Sequence, residues 1–437
     1  MDILSIDTNT SHMRYKRILD MRALVEYKSF FLFGPRSTGK TTLLREQFAP
    51  EAIVNLLRAT EFLPLAHNPS SLADRVRDIR RSYPVVIIDE IQKLPVLLDE
   101  VHHLIETESA TFVLTGSSGR KLKRGGVNLL AGRAWHAALF PLVSAEIPDF
   151  DIERYLLFGG LPQVYPSELP WEELDAYINT YLHEEILEEG ATRDLTIFSR
   201  FLRVAATVNA EQVNYSNVAN DTGVSASSVR TWFEILNDTF LGFLLEPWRG
   251  GLKRKTTSTA KFYLFDVGVW NFLRGTTVLD RGSDTFGKAF EHWIAMELRG
   301  YLSYRRIKST LTFWRTYTGL EVDFVIDRLF AVEAKATTRV GGKHLRALRA
   351  FQEEAPELPR ILVSLDEVDR TTEDGIRLLH WRRFVELLWS DQFLGTDAPV
   401  DHRVAECQPP TPSRYSRGER PVTRRNHRQK WLALTKP

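Results

Sequence analysis

A short glycine-bearing run near the start of the chain has the residue types and spacing needed to hold a phosphate group. It matches the full P-loop pattern, in which glycines let backbone N–H groups turn toward phosphate oxygens. Lys40 would place a positive charge at the β- and γ-phosphates, and the Thr41 hydroxyl is suited to coordinate Mg²⁺. The pattern predicts binding of ATP and Mg²⁺, and the alternative is a glycine turn that binds nothing. The candidate nucleotide-binding residues are Gly34, Pro35, Arg36, Ser37, Thr38, Gly39, Lys40, Thr41 and Thr42.

A second run supplies two acids that complete this chemistry. Residues 85–88 are apolar throughout, as in a buried strand, and Asp89 and Glu90 follow them directly. Asp89 would join the magnesium shell, and Glu90 would polarise the attacking water as a base. A strand that ends in two acids is common by itself, but after a P-loop it predicts ATP hydrolysis.

Further polar residues follow the next apolar run. Thr115, Ser117 and Ser118 could place a hydroxyl between Glu90 and the γ-phosphate, although hydroxyl residues are equally typical of an ordinary turn. Arg133 is a candidate for stabilising charge on the transferred phosphoryl group, in its own site or in that of a neighbouring subunit. A surface arginine without a catalytic role is the alternative.

A second group of candidate residues lies far along the chain. Asp323 falls in one predicted strand, and Glu333 and Lys335 fall in the next. Since positions two apart in a strand face the same side, these three side chains are expected to form one cluster. Glu291, on a predicted helix upstream, could add a carboxylate. Glu291, Asp323 and Glu333 would hold Mg²⁺ at a phosphodiester, with Lys335 orienting or deprotonating water.

The segment between these two groups has helix-turn-helix spacing. Ala219 is small enough for two helices to pack, Gly223 permits a turn, and Ser225 can cap the second helix. A following basic stretch, 253–261, could form a wing whose Lys253, Arg254, Lys255 and Lys261 contact phosphates. The second helix would expose mainly small or acidic side chains, with only Arg230 basic, which is unusual for a helix that contacts bases. A packing module beside the ATPase is therefore the alternative.

Apolar periodicity predicts the elements that position these residues. Strands that are apolar throughout alternate with helices in the first third of the chain, which indicates a parallel sheet covered on both faces. A helix is predicted over residues 12–28, helical structure over 211–246, and a hairpin over 247–268. From Thr285 a helix, two strands and a further helix–strand alternation are predicted.

Composition limits the class of protein. The chain has 437 residues, of which 43% are hydrophobic and 26% charged, and its net charge is +1. This length predicts several domains, and the charge predicts no global attraction to nucleic acid or membrane. Cys407 is the single cysteine, which excludes an intramolecular disulfide. Because no apolar run of membrane-spanning length or secretory signal is present, a cytoplasmic location is expected.

The segments FLFGPRSTGKTTLL, VVIIDEIQKLP, FVLTGSS and LAGRAWHAALFPL resemble the AAA+ ATPases of bacteria and archaea. They are most similar to the subgroup fused to a C-terminal domain of unknown function, which FGGLP at Phe158–Pro162 also resembles. The resemblance covers roughly residues 15–390. It implies ATP hydrolysis, with Arg133 matching the arginine of a "GR" motif. The set Glu291, Asp323, Glu333 and Lys335 resembles the PD-(D/E)XK nuclease fold, and a salt-bridged, inactive remnant of that fold is the alternative.

These observations predict an α/β protein with four segments. They are a P-loop AAA+ domain with a parallel sheet at 1–150, a helical and winged-helix region at 151–282, an α/β PD-(D/E)XK-like domain at 283–395 and a disordered basic tail at 396–437. The preferred hypothesis is an oligomeric ATPase that acts on DNA through its nuclease-like domain. The alternatives are a nucleotide-dependent switch that binds protein partners and a DNA remodeller, both with a non-catalytic C-terminal module.

Overall fold

The computed structural model describes residues 15–117, 119–120, 130, 132–182, 195–251 and 254–394. Ser118, Lys253 and the predicted basic tail at 396–437 lie outside the described residues. Among the described helices, none is long and apolar enough to cross a membrane.

The first part of the described chain alternates strands with helices. Its strands are β1 Ser29–Phe33, β2 Ile53–Asn55, β3 Val85–Asp89, β4 Thr111–Thr115 and β5 Ala134–Ala138. Its helices are α1 Met21–Val25, α2 Lys40–Gln47, α3 Ala59–His67, α4 Ser71–Arg80 and α5 Leu97–Glu108, with 3-10 turns at Pro50–Ala52 and Ile91–Lys93. The strands pair in parallel in the order β2-β3-β4-β1-β5. Each residue of β1 is buried, as expected for a strand covered on both faces. The predicted parallel sheet is confirmed.

The N-terminal segment departs from the prediction. A helix was expected over residues 12–28, but residues 15–20 are not helical and α1 begins only at Met21, where Asp20 caps it. Tertiary contacts explain the difference, because the Ile18 N–H donates to the Glu146 carboxylate at 2.9 Å. That bond takes a backbone donor away from helix formation.

The middle of the chain is mainly helical. Its helices are α6 Ile152–Phe158, α7 Pro170–Ala176, α8 Leu195–Thr207, α9 Tyr215–Thr222, α10 Ala226–Asp238 and α11 Val267–Arg274, with a 3-10 turn at Ser144–Glu146 and a π-helical turn at Tyr177–Leu182. Its strands are β6 Glu211–Gln212, β7 Gly242–Pro247 and β8 Lys261–Leu264. The prediction of helix over 211–246 is therefore wrong at both ends, where β6 and β7 form. The predicted hairpin forms from β7 and β8 and begins earlier than expected, since residues 242–247 pair with strands on both sides.

The helix-turn-helix spacing corresponds to α9 and α10. Residues 223–225 join the two helices, and Gly223 has a left-handed φ of 74°. The Ser225 hydroxyl accepts the Ser228 N–H at 3.1 Å, as the predicted cap requires. Ala219 is buried where the helices meet.

The last part of the described chain is an α/β unit. Its helices are α12 Asp284–Tyr304, α13 Arg346–Gln352 and α14 Trp381–Trp389, with a 3-10 turn at Gly342–Leu345. Its strands are β9 Leu311–Arg315, β10 Glu321–Ile326, β11 Phe330–Lys335, β12 Arg360–Ser364, β13 Arg370–Thr371 and β14 Ile376–His380. The predicted strand pair that holds Asp323, Glu333 and Lys335 is present as β10 and β11.

One sheet runs through both the middle and the last part. Its described strands follow the order β13-β14-β12-β11-β10-β9-β7-β8-β6, and parallel pairing of β7 with β9 joins the two parts. One hydrophobic core also spans them, since it contains Phe201, Phe262, Trp293 and Phe384. The expected boundary at residue 283 therefore lies within a continuous sheet and core.

Candidate functional site

The candidate phosphate-binding loop follows β1, and glycines determine its shape. Gly34 has a φ of 152°, and a Cβ there would lie 2.2 Å from the Leu139 carbonyl oxygen, so no side chain fits. Ser37 and Gly39 have positive φ angles of 61° and 90°, and α2 begins directly afterwards at Lys40. The N–H groups in the first turn of a helix have no intrahelical partner and favour an anion. The loop therefore ends at such a group of donors.

The Lys40 side chain is buried and folds back over this loop. Its Nζ donates to the carbonyl oxygens of Gly34 at 2.7 Å and of Pro35 at 2.8 Å. The Thr38 hydroxyl donates to the Pro35 oxygen at 2.9 Å. Arg36, also in the predicted set, lies half-buried in the same loop. The ammonium is thus held against the backbone that would surround a phosphate.

Three strand ends and the P-loop meet at Asp89. Its Oδ2 accepts the Thr41 hydroxyl at 3.1 Å and the Asn55 amide at 3.3 Å, and its Oδ1 accepts the Thr115 hydroxyl. Asp89 is fully buried, whereas Thr42 is exposed on α2. A carboxylate and a hydroxyl at this separation are oxygen ligands of the kind Mg²⁺ prefers. The two residues predicted to hold Mg²⁺ are therefore adjacent.

Glu90 has an unusual backbone conformation. Its φ is 64°, in the left-handed region, and its N–H donates to the Thr115 hydroxyl at 3.2 Å. Its carboxylate accepts from the Gln92 side-chain amide. Non-glycine residues in this region cost free energy and are concentrated at functional sites. Thr115 therefore contacts both acids, whereas Ser118, another of the candidate hydroxyls, lies outside the described residues.

Arg133 lies at the end of the sheet where β1 and β5 begin, whereas the P-loop lies at the end where β1 stops. Ala134 pairs in register with Ser29 at the start of β1, whereas the P-loop follows the end of β1. At about 3.3 Å per residue, the length of this strand separates Arg133 from its own P-loop by roughly 16 Å. Arg133 forms an ion pair with Glu106 of α5, and the resulting hydrogen bond lowers the pKa of the Glu106 carboxyl. The structure does not bring Arg133 to its own nucleotide site.

Arg17 is a contact of the P-loop that no motif marks. Its guanidinium donates to the Thr38 carbonyl at 2.6 Å and to the Phe140 carbonyl at 2.7 Å. It also reaches the Tyr304 hydroxyl at 3.1 Å and pairs with Glu146 at 2.9 Å. Arg17 therefore connects the P-loop to Tyr304, the last residue of α12, through hydrogen bonds. A single arginine in an irregular segment carries no sequence signal for such a role.

The predicted C-terminal residues converge as the period of the strands requires. Lys335 Nζ lies 2.7 Å from Glu333 Oε1 and 3.6 Å from Asp323 Oδ2. Asp323 Oδ2 also accepts the Ala334 N–H at 2.8 Å, which fixes the carboxylate against β11. The structure thus brings Asp323, Glu333 and Lys335 into one cluster.

Glu291 joins this region through Lys261, which was expected in the wing, and through Tyr263, which no motif indicates. Lys261 Nζ lies 3.1 Å from Glu291 Oε1 and forms an ion pair with Glu321. The Tyr263 hydroxyl donates to Glu291 Oε1 at 2.6 Å. Arg315 donates to Glu321 Oε2 at 2.6 Å. Glu321 could have been found, because it stands two residues before Asp323 on the same strand face.

The structure buries one of the predicted wing residues, which contradicts its expected contact with phosphates, and pairs a second with carboxylates. Four carboxylates form an acidic cluster, namely Glu291, Glu321, Asp323 and Glu333. The Lys261 side chain, which pairs with the first two, is only 2% exposed. Arg254 is paired with the carboxylates at 353–354, at 2.8 and 3.1 Å. Lys255 is exposed. On α10, the Arg230 guanidinium lies 4.6 Å from the centre of the Tyr215 ring.

Burial raises the pKa of two carboxyls in the acidic cluster. Burial and the neighbouring Asp323 raise the pKa of Glu333 well above its usual range, and Lys335 only partly offsets them. Burial alone would lower the pKa of Lys335, but Asp323 and Glu333 outweigh it and raise that pKa. Burial also raises the pKa of Glu291. Lys335 therefore remains a cation at neutral pH.

A group of carboxylates is close enough to hold a cation. Oxygens of Glu291, Glu321 and Asp323 lie within 4.8 Å of one another. This group contains Glu321 in place of the predicted Glu333. Glu333 Oε2 is buried and has no hydrogen-bond partner among the described residues. The donor set is rich in carboxylate oxygen and therefore suits Mg²⁺ or Mn²⁺.

Comparisons with known proteins assign three segments. Residues 26–147 match the model of an AAA domain, residues 149–280 a domain of unknown function (DUF8612) and residues 286–384 a domain of unknown function (DUF4143). No curated protein matches the chain. The AAA match and the parallel sheet support an ATPase domain.

Among solved structures, Can2 from Sulfobacillus thermosulfidooxidans, in complex with cyclic tetra-adenylate, matches at 10% identity and a TM-score of 0.21. The match covers 73% of this chain and 96% of Can2. A similarity this low carries no conclusion about fold or function.

Proposed function

We propose that this chain is an AAA ATPase that hydrolyses ATP with Mg²⁺ and couples hydrolysis to a nuclease-like site acting on DNA. The observation that carries the ATPase assignment is the convergence of Thr41, Asp89 and Thr115 at the strand ends beside the P-loop. Family matching supports the AAA domain independently.

The residues of the nucleotide site have separate roles in this proposal. Lys40 neutralises the β- and γ-phosphates, and Thr41 and Asp89 hold Mg²⁺, which supplies further positive charge when bound. Glu90 orients a water molecule and accepts its proton as the water oxygen bonds to the γ-phosphorus. The bond from that phosphorus to the bridging oxygen breaks, which gives ADP and inorganic phosphate. Thr115 holds Asp89 and Glu90 in position.

Arg133 completes the active site of a neighbouring subunit in this proposal. The separation of Arg133 from its own P-loop favours action in trans over action in cis. AAA domains commonly oligomerise, and an arginine supplied in trans stabilises charge on the transferred phosphoryl group. The active form is then a homo-oligomer.

The acidic cluster is the proposed site of DNA cleavage. Glu291 and Asp323, with Glu321 or Glu333, hold a divalent cation that polarises the phosphodiester. Lys335, which contacts Glu333 and Asp323, orients or deprotonates water and stabilises developing negative charge.

Helix α12 connects the two proposed sites. It carries Glu291 in its first half and ends at Tyr304, which contacts Arg17 behind the P-loop. At 1.5 Å per residue, these two positions are about 20 Å apart along one rigid element. A nucleotide-dependent shift at the P-loop would therefore reach the acidic cluster.

A second candidate is a nucleotide-dependent switch or DNA remodeller whose C-terminal module binds without cutting. One observation favours it, because Lys261 and Arg315 already neutralise Glu321. The charge of Glu321 is therefore offset without a metal ion.

Cleavage of plasmid and single-stranded DNA, with Mg²⁺ and with or without ATP, distinguishes these candidates. Wild type should cut, Lys335→Ala should not, and Lys40→Ala and Glu90→Gln should lose the ATP-dependent part. Lys343→Ala, at an exposed lysine, is the matched control. If the wild type hydrolyses ATP and leaves DNA intact, the second candidate replaces the first. Salt-sensitive DNA binding would then favour the remodeller over the protein-binding switch.

A further inference from the structure

Lys261 reaches the acidic cluster from a different part of the chain. It begins β8, which pairs with β6 and β7 beside the helix-turn-helix segment. Its side chain is 2% exposed, and its ammonium lies 5.4 Å from the centre of the Phe313 ring. Lys261 is therefore a buried cation on a strand whose backbone is paired on both sides.

The carboxylates that bind Lys261 are the ones that could hold a metal ion. Lys261 contacts Glu291 at 3.1 Å and also pairs with Glu321, and both belong to the cation-binding group with Asp323. Two positive charges within about 4 Å repel each other strongly in a buried site. An ammonium and a divalent cation thus compete for the same oxygens.

A second observation indicates that the cluster has unused capacity for a cation. Glu333 is 4% exposed, and its Oε2 has no hydrogen-bond partner among the described residues. Its Oε1 contacts Lys335, which also lies 3.6 Å from Asp323. A buried carboxylate oxygen without a partner is costly, and a metal ion would relieve that cost.

We infer that Lys261 is the resident cation of the acidic cluster and that it opposes divalent-cation binding. Metal entry requires the ammonium to move away from Glu291 and Glu321. Because Lys261 lies on β8, its ammonium reaches the metal site from the hairpin that follows the helix-turn-helix segment. This inference rests on the proposed function, since it concerns regulation of the same cluster.

The test is calorimetric titration of Mn²⁺ into the full chain without nucleotide. Lys261→Met removes the charge, and Lys261→Gln removes it while keeping an N–H donor for the carboxylates. Both variants should bind Mn²⁺ at least ~10-fold more tightly than wild type. Lys288→Met is the matched control, because Lys288 also pairs with two carboxylates, Glu211 and Asp284, outside the cluster. Glu291→Gln identifies the binding heat that belongs to this site.

The Mn²⁺ titration distinguishes failure of the inference about Lys261 from failure of the proposed metal site. A Lys261 variant that folds only with Mn²⁺ also supports the inference, because the metal then replaces the missing charge. If wild type binds Mn²⁺ and the Lys261 variants bind it no more tightly, or fail to fold even with Mn²⁺, the inference is wrong and the proposed metal site stands. If neither wild type nor variants bind Mn²⁺ at Glu291, the inference and the proposed metal site both fail.

Discussion

The Arg17 guanidinium donates a hydrogen bond to the Tyr304 hydroxyl at 3.1 Å, which joins the segment before α1 to the last residue of α12. The same guanidinium donates to the Thr38 carbonyl of the P-loop at 2.6 Å. Tyr304 also accepts the Phe140 N–H at 3.0 Å. The nucleotide site and the C-terminal unit therefore share one buried polar network.

Tyr304→Phe should weaken this connection. The change removes the hydroxyl, which leaves the Phe140 N–H without that acceptor and should destabilise the fold by about 1–3 kcal/mol. It should raise KM for ATP more than it lowers kcat, since the P-loop loses a support and no catalytic group is removed. Steady-state ATPase assays and urea unfolding measure both effects. Tyr317→Phe, at a tyrosine that is 73% exposed, is the control, and a matching response there would contradict the assigned role.

Glu297 should make stability depend on pH. This fully buried carboxylate on α12 accepts hydrogen bonds from the Ser144 N–H at 2.7 Å and from the Trp389 indole at 2.7 Å. Burial nevertheless raises its pKa to about 7, from an ordinary value of 4.5. The folded pKa therefore lies above the unfolded value. The contribution of Glu297 to the free energy of unfolding is complete below about pH 4.5 and is lost as the pH rises to about 7.

Glu297→Gln should abolish that dependence. In urea unfolding, wild type should exceed the variant in stability by more at about pH 5 than at about pH 8, with a change of up to about 3 kcal/mol. Glu357→Gln, at an exposed position, controls for general charge effects. An advantage of wild type that grows with pH would instead mean that the hydrogen bonds hold Glu297 ionised.

Arg133 gives a test of subunit cooperation. Lys40→Ala lacks a working P-loop and keeps its arginine, whereas Arg133→Ala lacks the arginine and keeps its P-loop. If Arg133 acts in trans, each variant alone should be nearly inactive, and a mixture should recover part of the ATPase activity. Glu106→Gln, which removes only the partner of Arg133, should retain most of the activity. A mixture as inactive as its components, with mixed oligomers verified, would contradict action in trans.

Motif spacing and local periodicity predicted which residues of the two candidate sites lie close together. The P-loop spacing identified the loop around Lys40, and the two-residue period of a strand correctly placed Asp323, Glu333 and Lys335 together. These predictions depend on residues that are close in sequence, so tertiary structure has little influence on them.

The remaining residues depend on contacts between distant segments. Lys261 enters the cluster because β7 pairs with β9, and no local pattern specifies that pairing. Arg17 reaches the P-loop from an irregular segment whose conformation is fixed by Glu146. Similarly, Asn55 contacts Asp89 only because β2 and β3 are neighbours in the sheet.

The central claim is that residues 34–41 with Asp89 and Glu90 form a working ATPase site. The most direct measurement is Mg²⁺-dependent release of inorganic phosphate from ATP by wild type, Lys40→Ala and Glu90→Gln, together with nucleotide binding. Wild type should hydrolyse ATP, Lys40→Ala should lose binding and hydrolysis, and Glu90→Gln should bind ATP while its kcat falls by roughly 10²–10⁴-fold. Equal hydrolysis by wild type and Glu90→Gln, or ATP binding unaffected by Lys40→Ala, would contradict the account.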